Sequence, residues 1–125
     1  MDEQLKKRLS ADTTGLLTYE YLANNIGSCD DVLPDLVDNI IRVDADGQFT
    51  VSAARYLAAI DMESYRTHID NLIAAAINKD RDRAYIGALL SCIWGDDYAD
   101  RVEELNASSD NFRRIYKRVF PQGKI

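Results

Sequence analysis

The chain has 125 residues, 46% of them hydrophobic and 29% charged, with a formal net charge of −6. That is the balance of a globular chain of ordinary domain size, with no apolar run near the roughly 20 residues a membrane-spanning helix needs. The opening Met1-Asp2-Glu3-Gln4-Leu5-Lys6-Lys7-Arg8 mixes charge signs without an apolar stretch behind it, so no secretory signal is read and a cytoplasmic location is expected.

Charge is distributed unevenly. Residues 1–28 carry a net −1, residues 29–104 a net −9 and residues 105–125 a net +4. The middle repels phosphate and the C-terminal stretch attracts it. The two cysteines, Cys29 and Cys92, are read as free thiols, and neither has the cysteine or histidine neighbours of a zinc site.

In chain order, a short helix is expected over about 2–9, with Leu5 and Leu9 on one face. A second covers 18–26, with Leu17, Tyr21, Leu22 and Ile26 at helical spacing, stopped by Gly27. Leu33, Leu36, Val37, Ile40 and Ile41 make the apolar face of a third helix, with Asp31 as cap and Pro34 in its first turn, where a missing N–H is harmless. The period then changes: Ile41, Val43, Phe49 and Val51 alternate with polar residues around Asp46-Gly47. Two readings compete for 41–51, a short hairpin turning at Asp-Gly and a loop ending in a Thr50 helix cap. From Ser52 the chain is helical again to Ile77, with Asp61-Met62-Glu63-Ser64 as the place where one helix divides into two, and Asn78-Lys79-Asp80 reads as a turn. The segment 84–94 has no charged side chain and is expected at the centre of a bundle. Short helices over 98–106 and 109–120 follow, and Pro121 blocks extension. No internal repeat and no domain boundary is apparent. The fold class expected is all-α, one domain of five to seven helices with a hairpin near 41–51.

Ala23, Gly27, Leu33 and Leu36 stand at the spacings of a small contact residue, a turn glycine and two apolar residues of a following helix. The stretch from about 16 to 51 resembles the helix-turn-helix signature, with the hairpin in the place of a wing. That resemblance implies a DNA-associated regulator. The charges oppose it: the matching helix presents Asp30, Asp31, Asp35 and Asp38, where a DNA-reading helix needs cations and amides. Nucleic acid is therefore not the partner expected.

Asp44-Ala45-Asp46-Gly47 resembles a calcium loop, but Arg42 and Ala53 stand where ligands belong, so a plain turn is expected. The only histidine, His68, lacks an acid three or four residues away and reads as structural. No phosphate loop or nucleophile elbow occurs, so no catalytic residue, metal or cofactor is assigned. Two surfaces remain as interaction candidates. One is acidic, Asp30, Asp31, Asp35 and Asp38. The other is the basic face of the last helix, Arg113, Arg114, Lys117 and Arg118 with Lys124 beyond, backed by Phe112, Ile115, Tyr116, Val119 and Phe120. The function expected is a non-enzymatic protein–protein interaction module: an adaptor, inhibitor or neutraliser of a basic partner. The basic helix of one copy meeting the acidic middle of another would make a homo-oligomer.

Overall fold

A computed structural model describes residues 2–121. Among them lie eight α-helices: α1 (Glu3–Ser10), α2 (Leu16–Asn25), α3 (Leu33–Val43), α4 (Gln48–Asp61), α5 (Arg66–Lys79), α6 (Ala88–Trp94), α7 (Val102–Ser108) and α8 (Asp110–Val119). Two 3₁₀ turns, Asp30–Val32 and Tyr98–Arg101, precede α3 and α7. The described residues contain no strand, and no helix is long and apolar enough to cross a membrane.

The helices form two layers. In one, α3 packs on α5 and α5 on α8; in the other, α2 packs on α4 and α4 on α6. The most extensive contact is between α4 and α5. The core is filled by matched quartets: Leu33, Leu36, Val37 and Ile40 of α3 are buried, and so are Ile69, Leu72, Ile73 and Ala76 of α5, 36 residues later. These spacings of three and four put each set on one helix face. Phe49 and Tyr56 of α4 meet Tyr19 of α2, with ring centroids 6.2 and 6.5 Å apart.

The repeat that the sequence conceals is a turn. At each of three places a buried aspartate, Asp12, Asp44 or Asp80, lies just past the last residue of a helix, and the chain turns there toward the next helix. Three residues after each aspartate the backbone is left-handed: Gly15 (φ 101°), Gly47 (φ 93°) and Arg83 (φ 52°). Gly15 and Gly47 are the N-caps of α2 and α4 and have no side chain with which to cap. The aspartate three residues earlier does it for them. Asp44 Oδ2 accepts from Thr50 N–H and Thr50 Oγ1, both at 2.7 Å, and Oδ1 from Gly47 N–H at 3.2 Å. A carboxylate placed against free N–H groups at a helix start is favoured by hydrogen bonding and by the helix dipole.

This turn replaces the hairpin expected at 41–51. Ile41 and Val43 end α3, while Phe49 and Val51 begin α4, so their alternation spans two helices. Thr50 is not the cap either; it sits in the first turn of α4 and donates to Asp44. Eight α-helices stand among the described residues where five to seven were expected, because the helical stretch after the 41–51 junction divides at 62–65 and the C-terminal stretch divides at Ser109. Three more expectations are corrected. Val32 rather than Asp31 stands at the N-cap of α3, because Asp30–Val32 forms a 3₁₀ turn. Helix α5 runs through Asn78 and Lys79 and ends at Asp80. The segment 84–94 is not a central helix: α6 begins only at Ala88 and lies at the end of its layer, with Ala88 and Ser91 exposed. Small uncharged side chains there signal neither core nor surface. Elsewhere the expected elements form: Pro34 lies in the first turn of α3, the long helical stretch divides at 62–65, and Gly27 turns the chain after α2 with φ 91°.

Candidate functional site

The three buried aspartates are the most elaborate polar constellation in the fold. Asp12 accepts from Thr14 and Gly15 N–H at 3.1 and 2.9 Å, from Thr18 N–H at 2.9 Å and from Thr18 Oγ1 at 2.8 Å. Asp80 accepts from Ala84, Tyr85 and Ile86 N–H at 2.9, 2.7 and 2.8 Å. Ile86 has no hydroxyl, and a second backbone N–H takes the place of the threonine. Burial raises the pKa of Asp12, but the hydrogen bonds from Thr18, Gly15 and Thr14 outweigh it and hold the carboxyl below its usual value. Each carboxylate therefore accepts three or four hydrogen bonds from the chain itself, from backbone N–H groups and, at Asp12 and Asp44, a threonine hydroxyl. The likeness of 44–47 to a calcium loop is a likeness of turn residues: Asp46 Oδ1 accepts from Gln48 N–H at 3.1 Å.

Each turn is also stitched to the next unit. Asn39 Nδ2 donates to Leu9 O at 3.1 Å and to Thr18 Oγ1 at 2.8 Å. Lys79 Nζ donates to the carbonyls of Ile41 and Asp44, and an Arg118 Nη donates to those of Ile77 and Asp80. The unpaired carbonyls at the end of one helix are thus satisfied by the next helix of that layer, in α8 as in α3 and α5. Sequence reading missed this set. The signal available was the recurrence of Asp12, Asp44 and Asp80 at intervals of 32 and 36 residues with Gly, Gly and Arg three positions on.

The acidic candidates divide. Asp35 and Asp38 are exposed on α3, opposite the buried quartet, and Asp31 is exposed in the 3₁₀ turn that leads into it. Asp30 stands at the 3₁₀ turn, where its Oδ1 accepts from Tyr65 OH at 3.2 Å. Burial and then the charge of Asp30 raise the Tyr65 pKa. A groove of about 470 Å³ separates α1 from α3, and Glu3, Asp35 and Asp38 share it with Lys6 and Arg42.

The basic candidates do not form one patch. Arg113 pairs with Asp110, Arg114 donates to Asn78 Oδ1 at 3.0 Å, and Arg118 is turned onto the end of α5. Lys117 is exposed, and Lys124 lies outside the described residues. The aromatic face of α8 belongs to the core: Phe112 is stacked with Tyr116 at 5.6 Å and meets Trp94 edge-on at 5.2 Å. His68 is half-buried on α5. Among the described residues no cluster of three or more His, Cys, Asp or Glu side chains is placed to hold a metal ion.

Comparison of the chain with protein-family models, with curated proteins and with solved structures finds no match.

Proposed function

We propose that the chain is a non-enzymatic interaction module whose α3 face takes a basic protein partner, as an adaptor, inhibitor or neutraliser. The observation that carries this reading is the exposed row Asp31, Asp35 and Asp38. Asp35 and Asp38 stand one turn apart on α3, and Asp31 is exposed just before them in the 3₁₀ turn that leads into the helix, so the three carboxylates come in close succession. The helix beneath them is fixed by Leu33, Leu36, Val37 and Ile40 in the core, which presents the row rigidly. A net charge of −6 steers a cationic partner toward it. Glu3, at the rim of the adjoining groove, adds a fourth carboxylate.

The test is a fluorescence anisotropy titration with a labelled lysine-rich peptide at two salt concentrations. Binding that weakens with salt and falls at least tenfold in the triple variant Asp31→Asn, Asp35→Asn, Asp38→Asn is expected. Equal binding by that variant removes the reading.

The second reading, a DNA-associated regulator, draws on the left-handed turn at Gly27 and the burial of Leu33 and Leu36 at helix-turn-helix spacing. Against it, the segment that would serve as a wing is a helix junction, and the exposed face of α3 is acidic. A mobility shift on random-sequence duplex DNA at low salt separates the two. A complex abolished by Arg113→Ala with Arg114→Ala favours the second reading. The same protein sedimented at high concentration and low salt reports whether copies associate.

A further inference from the structure

We propose that the groove between α4 and the turn entering α6 is a separate binding site for an acidic, extended peptide segment. The groove is of about 320 Å³ and is lined by Gln48, Ser52, Arg55, Arg83, Tyr85 and Gly87, together with Val51, Ala84 and Ala88. Its lining holds two arginines and no acid, in a chain whose net charge is −6. It lies in the layer of α2, α4 and α6, not in that of the α3 carboxylates, so it is independent of the partner taken there.

Two observations on the arginines point to a ligand. Arg55 is exposed on α4 and has no hydrogen-bond or ion-pair partner among the described residues. Arg83 is the one non-glycine residue among them with positive φ, at 52°, in the position that Gly15 and Gly47 hold in the other two turns. Backbone strain kept where glycine would remove it points to a use for the side chain. Among the described residues, that side chain makes a single long hydrogen bond, Nη1 to Arg118 O at 3.3 Å. Arg83 also lines the groove.

The chemistry of the lining selects the occupant. Arginine pairs bidentately with a carboxylate. Ser52 and Gln48 offer hydrogen bonds to a peptide backbone, and Gly87, Ala84 and Ala88 let that backbone come close. Asp46, which interacts with Tyr85 of the lining, is exposed, so the positive stretch is short and suits a segment carrying one or two carboxylates rather than a long polyanion such as a nucleic acid. Arg55 and Arg83 come from successive units, so the site exists only because the units stack.

The experiment uses the full chain and a fluorescein-labelled alanine–glycine hexapeptide carrying two glutamates, followed by anisotropy at low salt, with Arg55→Ala, Arg83→Gly, the double variant and Lys117→Ala as control. The expected result is binding that weakens at least fivefold in each arginine variant, is lost in the double variant and is unchanged in the control. Because the backbone at 83 suits glycine, Arg83→Gly is expected to keep the thermal midpoint of the parent, which separates lost binding from lost folding. Absence of binding, or binding indifferent to both arginines, overturns the proposal. So does a single-stranded oligonucleotide that binds more tightly with the same dependence on Arg55 and Arg83.

Discussion

Gly47 lies directly against Asp80: a Cβ added to the glycine would stand 3.3 Å from the aspartate Cβ. Gly15 has the same relation to the next unit, where a Cβ would meet those of Asp44 and Phe49 at 3.3 and 3.2 Å. The turns are therefore stacked, glycine of one unit on aspartate of the next. Glycine is required twice over, for its left-handed backbone and for the close approach. The third turn is stacked on no further aspartate turn, and there Arg83 stands in its place.

Gly47→Ala is expected to cost about 1–3 kcal/mol, since it combines a left-handed alanine with a crowded Cβ. Arg83→Gly is expected to leave stability unchanged or raise it by up to about 1 kcal/mol, relief of strain exceeding the added freedom of the unfolded chain. Urea unfolding of both variants checks the pair. A Gly47→Ala protein as stable as the parent would show that the turns do not stack as described.

Asp12 gives the fold an acid sensitivity of defined sign. Its carboxyl is held below the ordinary value by Thr18, Gly15 and Thr14 against the opposing effect of burial. A folded pKa below the unfolded one means that the ion stabilises the fold above the unfolded value, near 4, and that this contribution is lost as pH falls through the folded value. Asp12→Asn removes the titrating group. The variant is expected to be less stable at neutral pH and to lose less stability than the parent between about pH 5 and pH 2. Thermal midpoints across that range test it; parallel pH profiles for the two proteins would refute it.

Cys29 is 2% exposed, and burial followed by the charge of Asp30 pushes its thiol upward. Cys92 is only half-buried, and both are free. Alkylation of the native protein at neutral pH is expected to modify Cys92 first and Cys29 only at the rate of unfolding, since the thiolate is the nucleophile. Mass mapping after timed treatment with iodoacetamide reads the order directly.

Much of the helical content is written in the sequence at the level of period. Leu33, Leu36, Val37 and Ile40 announce α3 because burial on one face forces that spacing. The junction at 41–51 is not legible in the same way. Its apolar residues end one helix and start another, and a period of two arises from their meeting rather than from a strand. The repeat is concealed because it consists of backbone hydrogen bonds. Only the aspartate is common to all three turns, while Thr18 and Thr50 correspond to Ile86 and two glycines to Arg83. Of the candidate sites, the α3 row could be read because a single helix sets it. The dispersal of Arg113, Arg114 and Arg118 onto Asp110, Asn78 and the end of α5 could not, since two of those partners are 30 or more residues away. Arg55 and Arg83 are brought to one groove by the stacking of units, which no local pattern records.

The central claim is that Asp12, Asp44 and Asp80 are internal caps that join α1 to α2, α3 to α4 and α5 to α6, their carboxylates committed to the chain's own donors and not to a metal ion. Urea unfolding of Asp44→Asn, with and without added calcium, tests it most directly. The asparagine would set an amide against the N–H and hydroxyl donors of Gly47 and Thr50, so a loss of about 2–4 kcal/mol is predicted, with midpoints of parent and variant indifferent to calcium. A variant within about 0.5 kcal/mol of the parent, or a parent midpoint raised by calcium, would contradict the account.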